Sequence, residues 1–320
     1  MSASGGNKAI IAAFLANAGI ALTKFIAWSF SGSSSMLAES VHSVADAGNQ
    51  LLLLLGGRQA AKKATPTHPF GFGRERYVYA FVVSIILFSV GGMFSIYEGI
   101  SKLQHPHPLE VWWLPILVLV IAIVLESFSL RTAIKESNHV RGKQGWVSFV
   151  RHAKAPELPV VLLEDIAALL GLVFALIGVG LTILTGNGFW DAIGTLAIGT
   201  LLITVAVVLG IETKSLLVGE GANPGDVAAI EDAILDGPET DLIIHMKTLY
   251  LGPEELLVGA KVSVPASTRF ADVASGIDAI EQRIRAAVPV ARVVYIEPDV
   301  YNVMTGHNPP TDAIVIKGLE

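Results

Sequence analysis

Residues 159–184 read PVVLLEDIAALLGLVFALIGVGLTIL, a run whose only charges are Glu164 and Asp165. About 20 apolar residues suffice for a helix to cross the hydrocarbon core of a bilayer, so this run is long enough to span one. Two adjacent carboxylates inside such a run are costly, and ionisable groups there usually face a bundle interior. Five further blocks have the same character, at about 8–30, 35–57, 77–103, 111–133 and 190–212. Their connections include Ser31-Gly32-Ser33-Ser34-Ser35, His105-Pro106-His107-Pro108 and Thr185-Gly186-Asn187-Gly188, all rich in helix breakers. The 320-residue chain is 52% hydrophobic and only 16% charged. A soluble protein carries roughly a quarter charged residues. The expected domain plan is therefore a six-span helical bundle over 1–218, a small α+β domain over 219–303, and a loose end over 304–320.

The basic residues set the expected orientation. Arg58, Lys62, Lys63, Arg74 and Arg76 lie between the second and third blocks. Lys135, Arg141, Lys143, Arg151 and Lys154 lie between the fourth and fifth, and Lys214 follows the sixth. The opposite loops hold little beyond Lys102. Excess Lys and Arg mark the cytoplasmic side, which places both termini there. The start, MSASGGNKAI, lacks the pattern of a cleaved signal, so the first block is expected to insert the chain and stay. With no transit peptide read, the expected location is a prokaryotic plasma membrane.

From Glu220 onward sixteen acidic residues meet seven basic ones, a balance of −9 against +3 for residues 1–219. An acidic tail disfavours nucleic acid and attracts cations, although ordinary solubility explains the charge as well. Helical spacing over 224–235 and 270–287, with β-rich runs at 241–251, 255–264 and 290–297, predicts helix–strand–strand–helix–strand. Such a unit packs its helices on one face of the sheet. The absence of cysteine excludes thiolate metal sites, disulfides and cysteine nucleophiles.

The ionisable residues in the blocks differ in promise. His42 and Asp46 are four apart and share one helix face. An imidazole nitrogen and a carboxylate oxygen from one face supply half of a tetrahedral Zn²⁺ site. Asp46 lies eleven residues, roughly 16 Å, from the start of its block, near mid-membrane. The bland alternative is a His–Asp hydrogen bond that only fixes packing. Glu164 and Asp165 point about 100° apart on a helix, so one can ligate while the other accepts a proton or a supporting hydrogen bond. Glu126 is a proton-relay or packing candidate. Glu39, one turn before His42, is an exit-path or supporting residue or simply solvated. Lys24 is expected to snorkel towards an interface, and Asp191 to be an acid at the start of its own helix.

With those residues set out, a resemblance emerges. Ser35-Met36-Leu37-Ala38-Glu39-Ser40-Val41-His42-Ser43-Val44-Ala45-Asp46 resembles the second-span signature of the cation diffusion facilitator family. His68-Pro69-Phe70-Gly71-Phe72-Gly73-Arg74-Glu75-Arg76 is similar to the family's following loop, and Glu98-Gly99-Ile100 with Lys102-Leu103 to the end of its third span. The likeness covers roughly residues 7–303. It implies a homodimer that exports Zn²⁺, or sometimes Mn²⁺, Fe²⁺, Co²⁺ or Cd²⁺, from the cytoplasm in exchange for protons. It also implies a transport site between spans two and five and a metallochaperone-like, ferredoxin-like tail that helps hold the dimer.

This sequence departs from the family in three places. Val161 stands where members usually carry a His four residues before the span-five Asp, so the matched ligands are His42, Asp46 and Asp165, with Glu164 or a water as the fourth. The run Leu162-Leu163-Glu164-Asp165 is similar to the branch of the mitochondrial-type zinc transporter. In the loop site His68 survives while Phe72 replaces a second His. In the tail Lys261 occupies a His position, leaving Glu297 and Asp299 as carboxylates, and His245 falls off the motif.

The resemblance thus implies a carrier of Zn²⁺ as cargo, with no resident cofactor and with protons, the bilayer and a second copy as partners. One imidazole among oxygens suits Zn²⁺ but admits Mn²⁺, Fe²⁺ or Co²⁺. The rival readings are a non-transporting metal-sensing membrane partner and a proton-coupled carrier of organic cations. A membrane enzyme ranks last, since no activated nucleophile lies beside the intramembrane acids.

Overall fold

The computed structural model describes residues 3–105, 109 and 111–301, with side chains from Asn17 onward. The expected loose end at 304–320 and most of the His-Pro-His-Pro turn lie outside the described residues. Seven helices fill residues 3–218. They are α1 (Ala3–Ser31), α2 (Ser34–Ala60), α3 (Glu75–Gln104), α4 (Trp113–Arg141), α5 (Trp146–His152), α6 (Glu157–Thr185) and α7 (Phe189–Val218). Among the described residues, α3, α4, α6 and α7 are long and apolar enough to cross a membrane. The 27-residue α2 would reach about 40 Å at 1.5 Å per residue, but Glu39, His42, Asp46, Asn49 and Gln50 make it more polar.

Beside a buried apolar core that includes Leu87, Leu172 and Ile198, this unit buries many polar residues and turns many apolar ones outward. On α2 the buried residues include Ser35, Glu39, Ser40, His42, Ser43 and Asn49, while Val44 and Leu51 are exposed. On α1 Lys24 is buried while Leu22, Phe25 and Ile26 face outward. On α4 the outward residues are Leu117, Val120, Val124 and Phe128. Polar groups inward and apolar groups outward is the arrangement that lipid imposes. The chain is a membrane protein.

Close backbone approach sets the packing. A Cβ on Gly199 of α7 would lie 2.9 Å from the backbone nitrogen of Ile96, and one on Gly92 of α3 would lie 2.6 Å from Ile203 Cγ1. Small residues at such crossings let membrane helices pack through van der Waals contact. Gly92 sits in a π-helical stretch, Leu87–Met93, inside α3, a local widening that the hydropathy pattern did not foretell. The hairpin from α6 to α7 turns at Gly186, whose φ of +68° suits glycine.

The chain divides into two compact units. One comprises 1–59 and 75–214; the other joins 60–74 to 215–320. In the second, α8 (Pro224–Leu235) and α9 (Phe270–Ala287) cover a sheet of β1 (Ile243–Gly252), β2 (Glu255–Ser263) and β3 (Val293–Asp299). The order is β1-β2-β3, with β1 antiparallel to β2 and β2 parallel to β3. Ile230, Ile234, Ile280 and Ile284 meet Val258, Val262 and Val294 in its core. The 60–74 segment belongs here because Gly73 packs on the β1–β2 turn, where a Cβ would lie 2.7 Å from the Leu251 carbonyl oxygen.

Candidate metal centre

Helix α2 carries His42 and Asp46 one turn apart, and their side chains converge. His42 Nε2 lies 3.3 Å from Asp46 Oδ2, with His42 buried and Asp46 partly exposed. The contact lacks hydrogen-bond alignment, however. Among the described residues, neither ring nitrogen of His42 nor Asp46 Oδ1 has a hydrogen-bond partner. Buried polar atoms are almost always paired, so three unpaired ones at one spot argue against a pair kept only for packing.

Asp46 opens onto a cavity of about 20 Å³, room for a water or one small ion. Its wall is built by Asn17 and Ile20 of α1, Ser43, Asp46 and Gln50 of α2, Glu126 and Ser129 of α4, and Val161, Glu164 and Asp165 of α6. The acids singled out in sequence on α2, α4 and α6 thus meet at one place. Glu164 Oε1 accepts a hydrogen bond from Asn49 Nδ2 at 2.7 Å, and Asp165 Oδ2 accepts one from Ser129 Oγ at 3.0 Å. Val161, standing where a His was expected by resemblance, lines the same space and adds only carbon. Among the described residues, no three of His, Asp and Glu sit close enough to form a ready-made cage. The donors share one cavity without being closed on an ion.

Asn49 and Ser129 were missed in sequence. Asn49 continues the face of His42 and Asp46 by one further step of three, and Ser129 follows Glu126 by three, so helical spacing could have found both. Lys24 departs from expectation, and of the alternatives for Glu39 plain solvation falls away. Neither is solvated: both are fully buried and paired, with Lys24 Nζ 3.0 Å from Glu39 Oε2 and 2.8 Å from Ser43 Oγ. Lys24 cannot snorkel because its partner lies inside the bundle.

Asp191 also does more than start its own helix. Fully buried, its carboxylate accepts hydrogen bonds from the backbone N–H groups of Ser34 at 2.7 Å and Ser35 at 3.3 Å, and from the hydroxyls of Ser33 and Ser34. It therefore caps the N-terminus of α2 from α7, satisfying donors that a helix start leaves free.

The weaker candidates lie in the other unit. His68 is exposed, its ring stacked on Phe72 with centroids 4.5 Å apart and its Nδ1 3.1 Å from the Thr67 hydroxyl. In the sheet, Lys261 Nζ sits 3.1 Å from Glu297 and 2.9 Å from Asp299. Donating hydrogen bonds to Asp299 and Glu297 raises the pKa of that ammonium, so the chain's own cation holds the carboxylates a metal would need. His245 pairs in register with Lys261 on the adjacent strand, and its buried Nδ1 has no hydrogen-bond partner among the described residues.

Inward ionisable groups in a bundle of membrane-crossing helices define the class to which ion carriers and pumps belong. Residues 10–218 match the cation efflux transmembrane domain. The chain belongs to this family, as the resemblance read from residues 35–46 implied. It is similar to the mitochondrial proton-coupled zinc antiporter SLC30A9 of Xenopus laevis, 35% identical over 265 residues, covering 82% of this chain and 47% of that protein. The Homo sapiens protein of the same name is 33% identical over 260 residues, 81% of this chain and 46% of that one. Metal tolerance protein C4 of Arabidopsis thaliana is 27% identical over 257 residues, covering 80% and 56%. The chain spans about half the length of these curated relatives. Two of them are named as mitochondrial, so the expected prokaryotic plasma membrane finds no support in them.

Proposed function

We propose that the chain exports Zn²⁺ in exchange for protons, binding the ion between α2 and α6 at His42, Asp46 and Asp165, with Glu164 as the fourth donor. The observation that carries this reading is that both His42 ring nitrogens and Asp46 Oδ1 lack hydrogen-bond partners among the described residues, while Asp46 lines a small cavity with Glu164, Asp165 and Glu126. Metal ligands must be deprotonated, so each ion bound releases protons and each proton regained weakens the site. His42 is the one proposed ligand whose unperturbed titration falls near neutral pH. The buried polar and outward apolar residues of α1 and α2 support six spans rather than four, and the basic loops support cytoplasmic termini. The names of the SLC30A9 relatives support zinc and protons as the exchanged ions.

Alternating access is the transport cycle in this reading. The ion binds at Asp46 from one side of the membrane, and the bundle then rocks to expose it on the other. Two copies of the chain form the working unit. Binding of radiolabelled Zn²⁺ by the purified chain, lost on His42→Ala, tests the site; unchanged binding sinks it. A second reading rests on Val161. With one imidazole among several carboxylates, the cavity also suits Mn²⁺, Fe²⁺ or Co²⁺, and competition of these ions against Zn²⁺ for transport ranks them.

A further inference from the structure

The proposed site has an unassigned end wall. Along α1 the cavity is lined by Asn17 and Ile20, and along α2 by Gln50, Asp46 and Ser43. Those positions step by three and four residues and so trace one face of each helix. The next residue on the α1 face is Lys24, and the next on the α2 face is Glu39. These two form the buried ion pair, and Ser43, itself a cavity wall, is the second acceptor of the Lys24 ammonium at 2.8 Å. Beyond the pair lies the α1–α2 turn, tied to α7 by Asp191.

Stability alone does not account for the pair. Two charges taken out of water lose more in hydration than their attraction usually returns, and apolar residues of similar size often do as well or better. Glu39 also keeps Oε1 without a hydrogen-bond partner among the described residues. That oxygen is accommodated by Gly171 of α6, where a Cβ would lie only 2.6 Å away. A carboxylate with a spare oxygen and a hydroxyl, one turn beyond His42, make a position fitted for a cation. Lys24 fills it from α1.

We propose that Lys24 is a transport-path residue: a tethered cation that plugs the Glu39–Ser43 position and closes the site towards the α1–α2 turn. The ion leaves on that side only when the ammonium is displaced. This rests on the proposed site but adds a residue, and a task, that the site alone does not require. It explains why a lysine is buried beside a place meant for a divalent cation. Its charge repels the cargo until the helices move and carry the ammonium aside.

The chain has no cysteine, so Ile20→Cys provides a single thiol in the cavity wall. Its labelling by a membrane-impermeant thiol reagent is measured separately from each face of sealed vesicles. With Lys24 intact, labelling is expected to be fast from the face on which the cavity opens and slow from the α1–α2-turn face. Lys24→Met should abolish that protection, and Lys24→Arg should keep it. Because Lys24→Met leaves Glu39 buried without its partner, Lys24→Met with Glu39→Gln is run beside it as a neutral pair. If the folded double variant stays as protected from the turn face as the parent, Lys24 is a packing residue and the proposal is wrong. Zinc binding in a His42→Ala background is read in parallel. Loss of the proposed site would show there, while the labelling asymmetry stands or falls independently.

Discussion

Replacing Asp191 should destabilise the bundle far more than its place in the first turn of α7 suggests. As an acid acting only on its own helix dipole, it would contribute about 0.3–1 kcal/mol. The geometry gives it another task. Its two carboxylate oxygens take the N–H groups of Ser34 and Ser35 and the hydroxyls of Ser33 and Ser34. After Asp191→Ala the hydroxyls can turn to neighbours, as Ser34 Oγ already lies 2.9 Å from Thr195 Oγ1. The two backbone donors cannot turn. Each buried donor left unsatisfied costs about 1–3 kcal/mol, so the loss should reach roughly 2–6 kcal/mol. Asp191→Asn keeps one acceptor and should fall between that and the parent. Unfolding in mixed micelles, followed by tryptophan fluorescence, gives the free energies. A cycle with Ser33→Ala should return a coupling of about 0.5–3 kcal/mol, as expected for residues in contact. A loss below 1 kcal/mol with no coupling would return Asp191 to a plain helix-start acid.

Further outcomes follow from the same geometry. Gly199→Ala places a methyl 2.9 Å from the Ile96 backbone and should cost about 1–3 kcal/mol by overpacking, read in the same micelle titration. Asn49→Ala removes the donor that holds Glu164 and should weaken zinc affinity by about 10–100-fold, the usual effect of losing a ligand's supporting hydrogen bond; titration calorimetry measures it. In the tail, Arg283 donates to both Glu239 oxygens at 2.8 and 3.2 Å and holds that carboxylate's pKa below its ordinary value. A depressed carboxylate stabilises the fold above its unfolded-state pKa, and that stability is lost as pH falls through the folded value. Hydrogen-exchange protection in α9, taken relative to the intrinsic rate at each pH, should therefore fall in acid, and Glu239→Gln should flatten the response.

Much of this was legible because lipid and periodicity leave strong marks. The blocks at 159–184 and 190–212 became α6 at Glu157–Thr185 and α7 at Phe189–Val218. The helical spacing of 224–235 and 270–287 became α8 and α9. The block at 111–133 stopped short, since α4 runs to Arg141; hydropathy ends where lipid ends, whereas a helix can continue into water. The short helix α5 was invisible too, its seven residues being too few to carry a span's signal. What sequence could not supply was partnership. Lys24 and Asp191 were each read against their own helix, but their burial is decided by residues 15 and more than 150 positions away. Glu297 and Asp299 were read as free carboxylates because parallel register with β2, which brings Lys261 between them, is a property of the folded sheet.

The central claim, that His42 and Asp46 hold the transported ion, is tested most directly by zinc flux in vesicles reconstituted with the parent chain, His42→Ala or Asp46→Ala, with and without a pH gradient. The account predicts gradient-dependent Zn²⁺ flux in the parent and its loss in both variants. Flux that persists in Asp46→Ala with its gradient dependence intact would contradict it.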